Sequence, residues 1–295
     1  MREREVLRFL AQRVPNAGDD CAVIPLGRTH LVLTTDMLWR QADLPEGVTA
    51  YTIGWRAVAV SFSDVAAMGA KPLGVVLALG APGFERDFLD QLLQGVLDCC
   101  QSVGAPYLGG DLSQHEELTL VSSALGEAKD PVRRSGAKPG ELVCVTGQLG
   151  RTAAALRLFE QKEYEQANRL FRFVPRAAEG LALAPYATSM IDISDGLARS
   201  LYQLGESSRA GFRVRYRDLP VLSETEELAQ SERELREMAL FTGEDFELLF
   251  TLSPSLLREA ENAAPFTVIG EVIKEGVWLE DGEKTVHLED RGYEH

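Results

Sequence analysis

Carboxylates placed beside short apolar runs are the chemically suggestive feature of this chain. Leu31-Val-Leu-Thr-Thr-Asp36 is three β-prone residues followed by two hydroxyls and a carboxylate. It reads as a buried strand whose C-terminal edge delivers Thr34, Thr35 and Asp36 to a crevice. Tyr107-Leu-Gly-Gly-Asp111 repeats the pattern, Met190-Ile-Asp-Ile-Ser-Asp-Gly196 sets Asp192 and Asp195 around Ser194, and Asp19-Asp20 precede the strand-like Cys21-Ala-Val-Ile24. Aspartate favours turns and caps over strands, so any one of these is most simply a turn residue. Four such clusters in one chain ask for more. Carboxylates gathered in a cleft repel one another unless they are protonated or bridged by cations. Hard oxygen ligands suit Mg²⁺, which is commonly shared with substrate phosphates. The pattern therefore points to a metal-dependent phosphate site.

The elements that must position these acids follow from periodicity. Val6, Leu7 and Leu10 predict a short helix over 3–13, and strands are expected near 21–26 and 31–36. Residues 37–48 read as an exposed loop. Thr49 can cap a long helix that carries Ile53, Val58, Phe62, Val65 and Met68, with Asp64 among small apolar neighbours. A strand over 73–79, a helix over 85–103 and two further strands complete a first half in which strands and helices interleave. The breaker-rich run from Lys129 to Gly140 suggests a boundary, giving α/β domains over 1–130 and 131–295. In the second half, the strand Leu142–Thr146, the turn Thr146-Gly-Gln-Leu-Gly150 and the helix 151–160 form a unit able to hold phosphate on helix N–H groups. Asp281-Gly282 between strand-like flanks predicts a hairpin.

Composition narrows the function classes. The 295 residues carry a net charge of −15 and no Lys/Arg run, which argues against a nucleic-acid partner. No stretch is long and apolar enough to suggest a membrane span, and the charged N-terminus lacks a signal-peptide core, so a cytoplasmic protein is expected. Cys21, Cys99, Cys100 and Cys144 have no zinc-like spacing and read as buried free thiols. The four histidines are scattered, and neither a Walker motif nor G-x-S-x-G is present. What remains is electrostatic catalysis, with acids holding several Mg²⁺ ions between a polyphosphate donor and an anionic acceptor. Arg134 and Lys138 would add direct charge to a nucleotide, although composition alone favours a solvated interdomain loop for both.

The ordered set of motifs resembles the thiamine-monophosphate kinase family, within the aminoimidazole-ribotide-synthetase-like superfamily. Its pieces are Gly18-Asp-Asp20, Thr34-Thr-Asp-Met-Leu38, Gly54-Trp-Arg-Ala-Val-Ala-Val60 and Ser63-Asp-Val-Ala-Ala-Met-Gly-Ala-Lys-Pro72. Gly109-Gly-Asp111, Arg134-Ser-Gly-Ala-Lys-Pro-Gly140, Asp192-Ile-Ser-Asp-Gly-Leu197 and Gly243-Glu-Asp-Phe-Glu-Leu248 follow in order and span nearly the whole chain. The resemblance implies direct transfer of the ATP γ-phosphate to thiamine monophosphate. It assigns Mg²⁺ to Asp20, Thr34, Thr35, Asp36, Asp64, Asp111, Asp192 and Asp195, and ATP to Gly110, Asp111, Arg134 and Ser194. Substrate contacts fall on Glu244, Tyr293 and the position of Asp43. It also implies a homodimer whose N-terminal halves close a barrel-like sheet together.

Three departures are visible. Asp43 stands where many members have a His that touches the substrate, Gly109-Gly-Asp-Leu-Ser113 replaces G-G-D-T-T, and Thr242-Gly-Glu-Asp245 replaces G-G-E-D. The metal acids survive all three, and Arg40 or the cationic thiazolium ring would balance Asp43. Selenophosphate synthesis would want a reactive Cys near the N-terminal glycines. A hydrogenase-maturation relative would want a C-terminal Cys tail. A silent binder of Mg-nucleotide or thiamine phosphate is the alternative from another class.

Overall fold

The computed structural model describes residues 17–293 together with Val6, Phe9, Leu10, Arg13 and Val14. Of the helix expected over 3–13, Val6, Phe9 and Leu10 are helical, and most of the rest lies outside the described residues.

Two mixed sheets carry the chain, as the α/β expectation requires. The first contains β1 (Ala22–Leu26), β2 (Thr29–Trp39), β3 (Lys71–Ala81), β4 (Tyr107–Gln114) and β5 (Thr119–Ala128), in the order β1-β2-β5-β3-β4. Between β2 and β3 run the short α1 (Arg40–Asp43) and the long α2 (Ala50–Ala67). Among the described residues of this sheet only β3 and β4 pair in parallel, and α3 (Arg86–Val103) is their crossover. The second sheet has β6 (Leu142–Val145), β7 (Ala187–Asp192), β8 (Gly211–Arg215), β9 (Leu248–Leu252), β10 (Thr267–Ile273), β11 (Val277–Asp281) and β12 (Lys284–His287). Its order is β12-β11-β8-β10-β6-β9-β7, and β11 and β12 form the expected hairpin at Asp281-Gly282. Its helices are α4 (Arg151–Glu160), α5 (Tyr164–Phe171), α6 (Ala177–Leu183), α7 (Leu197–Ser208), α8 (Ser223–Leu228), α9 (Glu232–Leu240) and α10 (Leu257–Ala263).

Helix α2 is the central member. The Thr49 hydroxyl caps it by accepting the Thr52 N–H at 3.2 Å. Its apolar residues Val58, Phe62 and Val65 fill the core beneath the first sheet with Val32, Val75 and Val96. Ala66 and Ala67 at its C-terminal end join a separate cluster with Met190, Leu248 and Phe250 of the second sheet. The helix thus touches both sheets. Its contact with α3 is close enough to require glycine on each side: a Cβ on Gly54 would lie 1.9 Å from the Leu92 carbonyl oxygen, and one on Gly95 would lie 2.0 Å from that of Tyr51.

Two strands run further than their sequences suggest. β2 continues to Trp39 and β4 to Gln114, so Asp36 and Asp111 sit within strands and not at their ends. Hydrogen bonding to β5 along the whole of β2 outweighs the poor strand preference of Thr-Thr-Asp. Alternation then separates neighbours: Thr34 is buried on the helix-facing side with Val32 and Leu38, whereas Thr35 is exposed on the other face with Leu33 and Met37. The expected loop over 37–48 is likewise partly structured, ending β2 and forming α1, and it buries Asp43 and Leu44.

Candidate active site

The acids meet where α2 passes between the sheets. Carboxylate oxygens of Asp20, Asp64 and Asp192 all lie within 4.8 Å of one another. Asp20 comes from the turn before β1, Asp64 from the last turn of α2 and Asp192 from the end of β7. Each is held by a neighbour. Thr34 on β2 donates its hydroxyl to Asp64, and Ser63 donates to Asp192 at 2.6 Å. Arg134 donates to Asp20 through Nη2 at 2.8 Å. Asp36 stands beside this trio, and Ser61 donates to it at 2.6 Å while also meeting Ser122 on β5 at 2.6 Å.

The electrostatics are those of charges crowded without matching cations. Burial, reinforced by Asp36, Asp192 and Asp20, pushes the Asp64 carboxyl well above the usual range against the Thr34 hydrogen bond. Burial first, then Asp20 and Asp36, raises Asp192 to about 8, although Ser63 and Arg134 oppose the rise. Burial and Asp20 likewise raise Asp36. One arginine does not balance four acids, and this donor set fits Mg²⁺. Burial and the same aspartates push the Cys21 thiol up as well, so it has none of the thiolate character of a reactive cysteine.

Arg133 and Arg134 tie the segment between the sheets to the turn at Asp19-Asp20. Arg133 pairs with Asp19 at 2.8 Å, and the Arg134 N–H reaches Asp19 at 2.9 Å. Burial lowers the Arg134 pKa, but Asp20 chiefly raises it by more. Lys138 is exposed.

The other expected residues fall at two further places. Ser194, Asp195, Glu244 and Tyr293 gather around the loop after β7. The Glu244 N–H donates to the Ser194 carbonyl at 2.6 Å, and the Tyr293 N–H donates to that of Asp195 at 3.0 Å. Glu244 also meets Arg56 of α2 at 3.0 Å. Asp43, buried in α1, accepts the Trp39 N–H at 2.8 Å. Arg40 is exposed, whereas the buried arginine that feels the Asp43 charge is Arg56. Thr35 bonds sideways to the Ser122 carbonyl and Ser123 on the outer face. Gly110 and Asp111 are exposed on the edge strand β4. Gly110, Leu77, Ser122 and Asp36 form one row across the sheet; three strand spacings put about 14 Å between its ends. Within one chain, Asp111 does not join the acid trio.

The expected phosphate cradle at α4 is filled from within. The Asp245 carboxylate accepts the Gly150 N–H at 2.7 Å and the Thr152 N–H at 3.2 Å. A buried side-chain anion thus occupies the place a phosphate would take. Burial raises Asp245 to about 7 in spite of these two bonds. Below it, Glu247 is gripped by Arg176 through two contacts of 2.6 Å and by the Thr146 hydroxyl at 2.8 Å. Sequence reasoning also passed over Ser61 and Ser63. Their signal was available: Ser61-Phe-Ser-Asp64 sets three polar residues, each a mediocre helix former, inside the otherwise apolar second half of the helix.

Acids gathered from a turn, a helix and a strand end beside an arginine, in a two-sheet α/β fold, define a metal-dependent phosphate site. Residues 18–128 match the family model described as "AIR synthase related protein, N-terminal domain". The chain is 46% identical to a thiamine-monophosphate kinase of Halobacterium salinarum, over 100% of both chains. It is 43% identical to one of Methanospirillum hungatei, over 94% of this chain and 93% of the relative. The solved structure described as "AaThiL complexed with AMPPCP and TMP" superposes with a TM-score of 0.87 at 27% identity, covering 100% of this chain and 97% of that one. This chain belongs to the thiamine-monophosphate kinase family.

Proposed function

We propose that this protein transfers the γ-phosphate of ATP directly to thiamine monophosphate, releasing ADP and thiamine diphosphate. The observation that carries the reading is the convergence of Asp20, Asp64 and Asp192 within 4.8 Å beside Arg134. A family member bound to AMPPCP and TMP in one complex supports the pairing of donor and acceptor. Asp20, Asp36, Asp64 and Asp192 would hold Mg²⁺, with Thr34 orienting Asp64. Mg²⁺ bound there supplies charge neutralisation for polyphosphate oxygens. An oxygen of the acceptor phosphate forms the new bond to γ-phosphorus as the bond to the β,γ-bridging oxygen breaks. In this reading Arg134 would meet the nucleotide, and Glu244, Tyr293 and the Asp43 region would meet the acceptor. The raised thiol of Cys21, beside the acids, supports transfer without a cysteine intermediate.

The reading extends to a cytoplasmic homodimer with N-terminal and C-terminal units divided near residue 130. All four cysteines are free and buried, in keeping with a reducing compartment. Among the described residues no helix is long and apolar enough to cross a membrane. The first sheet exposes Ile24, Leu33, Met37 and Val76, and its edge strand β4 exposes Leu108 and Leu112 at 63% and 62%. Such a face and edge favour pairing with a second copy, which would close a barrel and bring Gly110 and Asp111 to a site. ADP release that depends on both Mg²⁺ and thiamine monophosphate tests the activity. Release that ignores thiamine monophosphate, or full activity in EDTA, refutes it; tight binding without turnover identifies a silent binder.

A further inference from the structure

Arg56 is fully buried in the first half of α2, and its surroundings are unusual for so large a cation. Its Nη1 donates to the Phe171 carbonyl at 2.9 Å, and its guanidinium carbon lies 3.7 Å from the Phe171 ring centroid. Phe173 and Phe246, stacked at 4.2 Å, complete an aromatic wall at 5.5 and 5.7 Å. Nη2 faces the Glu244 carboxylate at 3.0 Å, but off the direction of a good hydrogen bond, and Nε has no partner. A buried guanidinium with unfilled donors destabilises a fold, and apolar packing at this position would not.

Glu244 is held in an equally costly way. Gly243, Glu244 and Phe246 all have positive φ, at 81°, 55° and 52°. A left-handed backbone at two non-glycine residues costs energy and persists where several contacts over-determine it. Here the Glu244 N–H reaches Ser194, its carbonyl accepts the Thr152 hydroxyl at 2.6 Å, the Phe246 N–H reaches Ile193 at 3.0 Å, and Asp245 caps α4. Those bonds fix the backbone. Among the described residues, Arg56 is the side chain seen to meet the Glu244 carboxylate.

We propose that Arg56 is a positioning residue for acceptor selection: it aims the Glu244 carboxylate at the acceptor. Burial lowers the Arg56 pKa, and chiefly the Glu244 charge opposes that effect. The proposal rests on the thiamine-monophosphate reading above. It makes Arg56 the link between α2, which also bears Asp64, and the strained segment that bears Glu244.

The test varies both substrates over saturating Mg²⁺ for wild type, Arg56→Lys, Arg56→Gln, Glu244→Gln and the Arg56→Lys/Glu244→Gln double variant. Arg56→Lys keeps the charge but not the planar fork, and circular dichroism checks that each variant folds. The expected result is a KM for thiamine monophosphate raised about tenfold in Arg56→Lys, with the KM for ATP within about twofold of wild type. In the Glu244→Gln background, Arg56→Lys should add little to the acceptor KM. Equal shifts in both KM values, or an Arg56→Lys effect that survives in full without Glu244, overturns the proposal. A wild type that turns over thiamine monophosphate while Arg56→Lys leaves its KM unchanged overturns this inference alone. A wild type that does not turn it over overturns both readings.

Discussion

Replacing Asp64 with asparagine tests whether the crowded acids are a metal site or merely a buried polar cluster. The substitution keeps shape and an acceptor for the Thr34 hydroxyl, and removes one charge. Two like charges at the 4.8 Å limit of this cluster repel by about 3.5 kcal/mol at an effective dielectric constant of about 20. The raised pKa values of Asp64 and Asp192 mean that protonation already relieves part of that repulsion near neutral pH. A gain of about 1–2 kcal/mol remains, which corresponds to a Tm about 2–4 °C higher in EDTA for a chain of this size. With Mg²⁺ the sign reverses. A tenfold weaker site loses about 1.4 kcal/mol of ligand stabilisation, and turnover should fall by about a hundredfold. The assay is thermal unfolding of wild type and Asp64→Asn in EDTA and in Mg²⁺, alongside ADP release. A variant that melts lower in EDTA, responds to Mg²⁺ like wild type and keeps its activity would refute the metal reasoning.

Three further outcomes are expected. Arg134→Gln should raise the KM for ATP about tenfold and leave that for thiamine monophosphate nearly unchanged, as measured by initial rates; equal effects on both would remove Arg134 from the nucleotide side. In the metal-free protein, Asp192 at about 8 against a usual 3.8 binds its proton more tightly folded than unfolded, so stability should fall as pH rises from 4 to 8. Asp245, raised to about 7, acts in the same direction, and Mg²⁺ should flatten the slope; a pH-independent Tm in EDTA would contradict this. Met37→Glu and Leu112→Glu should each weaken the proposed dimer, with light scattering as the readout, whereas a wild type that is a fully active monomer at all concentrations would end the dimer proposal.

Much of the fold was legible because periodicity and caps agreed. Thr49 caps α2 as expected, and the hairpin at Asp281-Gly282 forms. Asp20, Asp36 and Asp192 were legible because four acid clusters are excessive for turns alone, whereas Asp64, an isolated helix acid, entered through the family resemblance; the structure brings Asp20, Asp64 and Asp192 together with Asp36 beside them. What escaped was decided by partners distant in sequence. Pairing with β5 draws Thr-Thr-Asp36 into mid-strand and turns Thr35 away from Thr34. The glycine turn before α4 looked open to phosphate because the anion that fills it, Asp245, lies about a hundred residues later. Arg40 was the natural counter-charge to Asp43 along the chain, yet it is exposed while Asp43 is buried. None of these outcomes can be read from local propensity.

One consequence of α2 concerns spacing. Arg56, facing the Glu244 segment, and Ser63, holding Asp192, lie seven residues apart on one uninterrupted helix. At 1.5 Å per residue that is about 10.5 Å, and seven steps return nearly to the same angular position. The helix therefore acts as a ruler, setting both the length and the phase between the Glu244 segment and the carboxylate cluster. A single inserted residue between Arg56 and Ser61 would twist the two ends by about 100° relative to each other, whereas sequence outside this span can vary without disturbing that alignment.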